Sequence, residues 1–221
     1  MHNLTVLNVI FITDELFELQ LERGDLQFEP GSCVALFSSA TESRPYSIAA
    51  GTGEEMLRFL IRRVPNGLVS EWLADRKPGD RVQASDPFGW FRPGQSVAGE
   101  RCVFIATGTG IAPFMSYLRS YPRQRPELCL YGVRRYEEVF HLPELAQISN
   151  FSLALSQDEV ENHYHGRVTG LLEQIPLASD IHYYLCGLDS MIDETSSWLE
   201  SRGIAYTQIH REIFFYEDGT L

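Results

Sequence analysis

Near Arg101 the chain changes rhythm, and that change constrains its fold more than any other feature. Before it, short apolar runs are punctuated by turn signals at roughly 8–12-residue intervals, the pattern of an antiparallel sandwich or barrel. The spacing predicts strands at Leu4–Phe11, Leu16–Leu21, Cys33–Phe37, Tyr46–Ala49, Met56–Arg63 and Arg81–Ala84, with a short helix at Ser70–Asp75. Pro30-Gly31 and Pro78-Gly79-Asp80 mark turns, and Gly51-Thr52-Gly53 reads as a flexible link. After Arg101, apolar runs at Cys102–Ala106, Leu128–Gly132, Phe151–Leu155 and His182–Cys186 alternate with helical spacing at Ala112–Ser120 and Ser190–Ser201. That alternation implies a parallel sheet covered by helices on both faces. Two domains are expected: a closed or nearly closed antiparallel β-barrel over 1–97 and an α/β domain over 98–221, divided within Pro93–Gly99.

The 221 residues suffice for two cores, and 30 acidic against 18 basic side chains give a net charge of −12. So acidic a chain is poorly suited to neutralising phosphates on nucleic acid or an anionic membrane surface. Lys77 is the single lysine, so the positive charge is almost wholly arginine, the side chain that grips phosphate and carboxylate bidentately. Cys33, Cys102, Cys129 and Cys186 are far apart and embedded in apolar surroundings, which predicts free thiols in a reducing, cytoplasmic setting and no zinc or iron–sulfur site. His163 and His165 share a strand-like spacing but find no third ligand in a polar loop spanning Asp158–Gly166, so no metal is expected. No membrane span is expected either.

The turn Gly108-Thr109-Gly110-Ile111-Ala112-Pro113 joins a strand to a helix, where backbone N–H groups and the helix dipole attract an anion. Pro113 suits the first helical turn, but the third glycine of the usual dinucleotide fingerprint is missing. The second α/β strand ends in Arg134-Arg135, where an acidic residue would take ribose hydroxyls and an arginine suits a 2′-phosphate. In the first domain, Arg44-Pro45-Tyr46-Ser47 places a cation, a planar ring and a hydroxyl on one extended segment. Alternation sets Arg44 and Tyr46 on one face and Ser47 on the other. Gly67-Leu68-Val69-Ser70 opens the short helix, with Ser70 as its expected N-cap and a second anion site.

Together these motifs resemble the ferredoxin–NADP reductase superfamily of flavoproteins. Arg44 to Ser47 is similar to its R-x-Y-S flavin motif, Gly67 to Ser70 to its G-x-x-S motif, and Asp86 to Phe91 to its P-F-G-x-F segment. Gly108 to Pro113 resembles its G-T-G-x-A-P motif and Leu185 to Gly187 its C-G motif, all in the family's order from about residue 5 to 217. The resemblance implies FAD on the barrel and a nicotinamide cofactor on the α/β domain. Tyr46 would stack on the flavin, Ser47 would hydrogen-bond near its N5, and Arg44 would hold the pyrophosphate. Pro45, Leu60, Ile61, Arg62, Gly67, Leu68, Val69, Ser70 and Thr109 would complete the FAD contacts.

It further implies that Cys186 lies beside the nicotinamide and that Glu212 helps poise hydride transfer, giving Ser47, Cys186 and Glu212 catalytic roles. Phe215, with Tyr216 as the alternative, would cover the flavin as a gate. The nucleotide would be held by Gly108, Gly110, Pro113, Arg134, Ser156, Gln157, Arg167, Gly187, Asp189 and Met191. Members specific for NADPH often carry Ser-Arg where this chain has Ser156-Gln157-Asp158. NADPH is expected from Arg134 and Arg167, and NADH use stays open.

The expected activity is electron transfer between NADPH and a one-electron carrier such as ferredoxin or flavodoxin, by a monomer. The alternatives are the NADH-using reductase component of a multicomponent oxygenase, a free-flavin reductase, or a non-catalytic flavin- or nucleotide-binding sensor module. Arg62, Arg63, Arg76, Lys77 and Arg92 are the candidate basic landing surface for an acidic carrier.

Overall fold

In a computed structural model, residues 1–96 and 99–215 are described. The chain divides into two compact units, Met1–Arg92 with Ala112–Pro122, and Pro93–Ile111 with Arg123–Leu221.

The first unit holds strands β1 (His2–Thr13), β2 (Leu16–Glu22), β3 (Cys33–Phe37), β4 (Ser43–Ser47), β5 (Met56–Arg62) and β6 (Arg81–Ala84), with helix α1 (Ser70–Ala74) before β6. They form one six-stranded sheet in the order β4-β3-β6-β1-β2-β5. Its pairings are antiparallel. The two edges meet where the Ala49 N–H donates to the Arg58 carbonyl at 2.8 Å, so the sheet curls into a barrel. Alternate residues such as Leu57, Phe59 and Ile61 point inward onto Phe17, Leu19, Val34, Leu36 and Val82.

The fourth strand lies earlier than its spacing predicts, Ser43–Ser47 rather than Tyr46–Ala49. Its continuation leaves the ladder because the Ile48 N–H turns to the Ser32 carbonyl at 2.9 Å while Ala49 bonds β5. The expected flexible link at Gly51 is instead packed. A Cβ on Gly51 would fall 2.8 Å from Arg119 Cβ, and Ser116 and Arg119 each donate at 2.7 Å to the carbonyls of Ala50 and Ala49. Both donors belong to helix α2 (Ala112–Ser120), which is why that helix groups with the barrel.

Glu18 is 3% exposed, and its carboxylate is met by Arg58 at 2.8 Å and by the Gln20 amide. Arg58→Ala leaves that buried charge uncompensated and is expected to cost about 2–3 kcal/mol, read as a lower thermal midpoint. The double variant with Glu18→Gln should recover part of the loss.

The second unit holds β7 (Arg101–Thr107), β8 (Leu128–Val133), helix α3 (Leu142–Leu145), β9 (Phe151–Leu155), β10 (Tyr164–His165), β11 (Ile181–Leu188), α4 (Asp189–Ser201) and β12 (Ile209–Phe215). Its six-stranded sheet runs β10-β9-β8-β7-β11-β12, with parallel pairing throughout. The strand order reverses between β7 and β11, and ligands of open parallel sheets bind beyond the strand C-termini at such a switch. Tyr183, Leu185 and Ile181 face the core formed with α4 and the 3₁₀ segment Val168–Gln174. The segment expected to be a polar loop at Asp158–Gly166 contains β10. Two exposed residues make too short a run for any periodicity to announce.

Cys33, Cys102, Cys129 and Cys186 are buried free thiols, and burial with Cys102 nearby pushes the Cys129 thiol up to about 12. No helix among the described residues is long and apolar enough to cross a membrane.

Candidate functional site

The second unit builds its site where the first strand meets the glycine turn. Gly108–Ile111 is a 3₁₀ turn leading from β7 toward α2, and Gly108 sits at φ +53°, in the left-handed region that favours glycine. A side chain on Gly108 would point into open space. One on Gly110 would fall 2.3 Å from the Cys186 carbonyl oxygen and 2.8 Å from Gly187 Cα. A Cβ on Gly187, itself at φ +140°, would fall 2.1 Å from Thr107 Oγ1. The turn after β7 and the end of β11 therefore pack backbone against backbone. The Leu188 N–H donates to Thr107 Oγ1 at 2.9 Å, and the Tyr131 hydroxyl donates to the Gly108 carbonyl at 3.0 Å. Thr107 and Tyr131 were not among the expected site residues. Thr107 directly precedes the glycine turn and could have been suspected, whereas Tyr131 carries no signal in its strand.

Cys186 and Glu212 are register partners on β11 and β12, and the buried Cys186 Sγ lies 4.0 Å from Glu212 Oε2. These two expected residues are thus brought together. Asp189 begins α4, where its Oδ1 accepts the Ser190 N–H at 2.7 Å. Met191 is buried, in the core of this unit. Phe215 is the last residue of β12 with its side chain outside the description, and Tyr216 lies outside the described residues.

At the ends of β8 and β9 the charges interlock. Arg134 meets the nearly buried Glu138 at 2.9 Å, and Arg135 lies 3.7 Å from Glu137. The Asp158 carboxylate accepts the Tyr136 N–H at 2.7 Å, and Tyr136 stacks on His163 at 5.6 Å. Ser156 and Gln157 are exposed and turn back on β8, donating through their N–H groups to Val133 and Arg134 carbonyls. Arg167 is exposed immediately before the segment Val168–Gln174. Among the described residues no group of His, Cys, Asp or Glu could hold a metal.

In the first unit Arg44 and Pro45 are exposed, Tyr46 is half-buried and Ser47 is buried. The Arg44 guanidinium donates to the Ser43 carbonyl at 2.8 Å and, among the described residues, pairs with no carboxylate. Burial holds the Tyr46 phenol above its ordinary value, with Arg44 pulling it partly back. The Ser47 hydroxyl shares a hydrogen bond with Cys33 Sγ at 3.1 Å, a partner set by the β3–β4 register and not expected from sequence.

Ser70 is not the N-cap of α1. That position is Val69, and Ser70 Oγ instead accepts the Val64 N–H at 3.0 Å because the tight Val64–Gly67 turn brings that N–H to it. Leu68 is exposed, while Val69, Leu60 and Ile61 are buried. Arg62 is 3.5 Å from Glu15, and Thr109 belongs to the other unit.

These residues fit their expected groups. An exposed guanidinium that pairs with no carboxylate among the described residues, beside a half-exposed ring, suits a flavin dinucleotide, and the glycine turn beyond β7 suits the pyrophosphate of a second dinucleotide. A barrel followed by such a parallel sheet is a two-domain architecture suited to dinucleotides.

The comparisons with known proteins agree. The family description "Oxidoreductase FAD-binding domain" matches residues 10–92, and "Oxidoreductase NAD-binding domain" matches residues 104–197. A ferredoxin–NADP reductase of Azotobacter vinelandii is 30% identical over 92% of this chain and 92% of its own length. The reductase subunit of an Amycolatopsis aromatic O-demethylase is 32% identical, covering 95% of this chain and 68% of that protein. The electron transfer component of a Pseudomonas putida toluate 1,2-dioxygenase is 28% identical, and the chain spans 66% of its length.

Among solved structures, an Amycolatopsis cytochrome P450 reductase superposes with TM-score 0.84 at 30% identity, over 96% of this chain and 70% of that one. A Neisseria gonorrhoeae ferredoxin–NADP⁺ reductase shares the fold at TM-score 0.87 and 24% identity, over 97% and 98%. The chain belongs to the ferredoxin–NADP reductase family and is an FAD- and NAD(P)-dependent oxidoreductase.

Proposed function

We propose that the enzyme passes electrons from a nicotinamide nucleotide, through FAD, to a separate one-electron carrier protein such as a ferredoxin or flavodoxin. The observation that carries this reading is the Cys186–Glu212 pair, set at the ends of β11 and β12 beside the Gly108–Gly110 cradle. Bound FAD supplies hydride acceptance and single-electron release, chemistry that no side chain offers. Residues of 1–97 hold it: Arg44 on the pyrophosphate, Tyr46 against the ring, Ser47 as a hydrogen-bond donor to the reacting edge. Residues of 98–221 hold the nucleotide: the Gly108–Gly110 N–H groups on its phosphates, the Cys186 thiol against the nicotinamide, Glu212 poising the transfer. Names of relatives support the carrier: two are ferredoxin–NADP reductases and others are reductase components of oxygenases. The expected basic landing surface is muted, since Arg62, Arg63, Arg76 and Arg92 each have a carboxylate within 4.0 Å.

NADPH is the first reading of the nucleotide, with Arg134, Arg135 and Arg167 around the 2′-phosphate. NADH is the second, favoured by one observation: Glu138 already engages Arg134, and Asp158 places a second carboxylate at the same strand ends. The double variant Arg134→Ala, Arg167→Ala decides between them. On the NADPH reading its kcat/KM with NADPH falls by about 100-fold while that with NADH changes by less than about threefold. Equal losses with both nucleotides refute a 2′-phosphate pocket at these arginines. Reduction of purified ferredoxin and flavodoxin at the expense of the preferred nucleotide tests the carrier, and transfer to neither protein contradicts it.

A further inference from the structure

We infer that His210 is a positioning residue for Glu212, acting through a partly buried polar cluster that ties β12 to β11 and to Ser96 and Glu100 ahead of β7. The inference rests on the role proposed above for Glu212. His210 is the register partner of Tyr184, one step of alternation before the Cys186–Glu212 pair on the same two strands. At the rise of an extended strand that step is about 6.6 Å, and residues two apart share a face. His182, Tyr184 and Cys186 therefore line β11 on the face where His210 and Glu212 line β12.

The cluster is closely joined. The His210 ring stacks on Tyr184 at 4.4 Å and 15° and shares a 2.8 Å hydrogen bond with the His182 ring. The Ser96 hydroxyl lies 3.2 Å from His210 Nε2 and 2.6 Å from the Tyr184 hydroxyl. That hydroxyl donates to Glu100 at 2.6 Å, and the fully buried Glu100 carboxylate stands 4.0 Å from His182 Nδ1. Phe104 closes on Tyr184 edge-to-face at 6.0 Å.

Among the described residues β12 is an edge strand, laddered to β11 and tied to α4 through Arg211, which reaches Ser196 and Glu200. The ring stack on Tyr184 and the contacts of His210 Nε2 with His182 and Ser96 fix β12 one alternation step from the carboxylate that His210 holds in place. Burial, with His182 beside it, lowers the His210 pKa to about 4. An unfolded chain protonates this ring near pH 6.5 whereas the folded chain protonates it near 4, so its contribution to stability falls as pH drops through that window.

The test uses the FAD-loaded enzyme with His210→Leu, His210→Gln, Ser96→Ala and Glu212→Gln, and each of the first three combined with Glu212→Gln. Single-turnover flavin reduction, nucleotide Kd and thermal midpoint from pH 8 to 4.5 are measured. His210→Leu is expected to slow reduction about tenfold, with Kd changed by less than about twofold. It should have no further effect in the Glu212→Gln background, and it should flatten the loss of thermal midpoint below pH 6.5. His210→Gln, which retains a hydrogen-bonding group, should restore most of the rate. Ser96→Ala should slow reduction about threefold with the same dependence on Glu212, and it serves if the leucine variant does not fold. Slowing by His210→Leu or Ser96→Ala that persists undiminished in the Glu212→Gln background overturns the inference while leaving the role of Glu212 intact. A Glu212→Gln enzyme reduced at the wild-type rate removes that role, and the inference with it.

Discussion

Gly110→Ala is expected to abolish binding of the nicotinamide nucleotide, with Kd rising at least about 100-fold and the second unit losing several kcal/mol of stability. The added methyl carbon would lie 2.3 Å from the Cys186 carbonyl oxygen, 2.6 Å from its carbon and 2.8 Å from Gly187 Cα. All three are backbone atoms, so no side-chain rotation relieves the overlap. Either the turn after β7 or the end of β11 must move. β11 cannot shift alone, because Cys186 is in register with Ala106 on one side and Glu212 on the other. The proposed phosphate cradle and the Cys186–Glu212 pair would be displaced together. Gly108→Ala is the control: its methyl meets nothing within 4 Å, and its φ of +53° costs only about 1 kcal/mol. Isothermal titration of Gly110→Ala with the preferred nucleotide and melting curves of both variants give the comparison, and equal losses of thermal stability would refute the backbone-packing argument.

Ser47→Ala is expected to slow flavin reduction about 100-fold, near 2.7 kcal/mol of transition-state stabilisation, while FAD stays bound. Ser47 is 4% exposed at the end of β4, and its hydroxyl is held by Cys33 Sγ across the strand pair. A hydroxyl held in this way meets a reacting edge already oriented, so its loss falls on the rate. The groups proposed to hold the dinucleotide, Arg44 and Tyr46, lie elsewhere on the strand and are untouched. Stopped-flow absorbance at matched FAD occupancy measures the effect, and unchanged kinetics remove Ser47 from the mechanism.

The fold was legible where periodicity runs long enough. Cys33–Phe37, Arg81–Ala84, Ala112–Ser120 and Phe151–Leu155 form at the residues their spacing predicts. β4 was displaced because its last N–H groups bond outside its own ladder, a tertiary effect with no local signal. α3 and β10 are too short to show a period. In the candidate site, the glycine turn after β7 was readable from motif order, whereas Cys186 and Glu212 were singled out separately by the resemblance and their pairing across β11 and β12 was not foreseen. The His182–His210–Tyr184 cluster was not either, since Ser96 and Glu100 reach it from 84 or more residues away in sequence. Nor did any local pattern reveal that Glu138 engages Arg134, although the two share an i,i+4 spacing.

The central claim, that FAD held by this chain takes electrons from a nicotinamide nucleotide, is tested most directly by anaerobic absorbance titration of the purified protein with NADPH and then NADH. A yellow protein whose FAD spectrum bleaches with a stoichiometric amount of one nucleotide is the predicted result. A yellow protein that neither nucleotide bleaches, or a colourless one that does not take up added FAD, would contradict it.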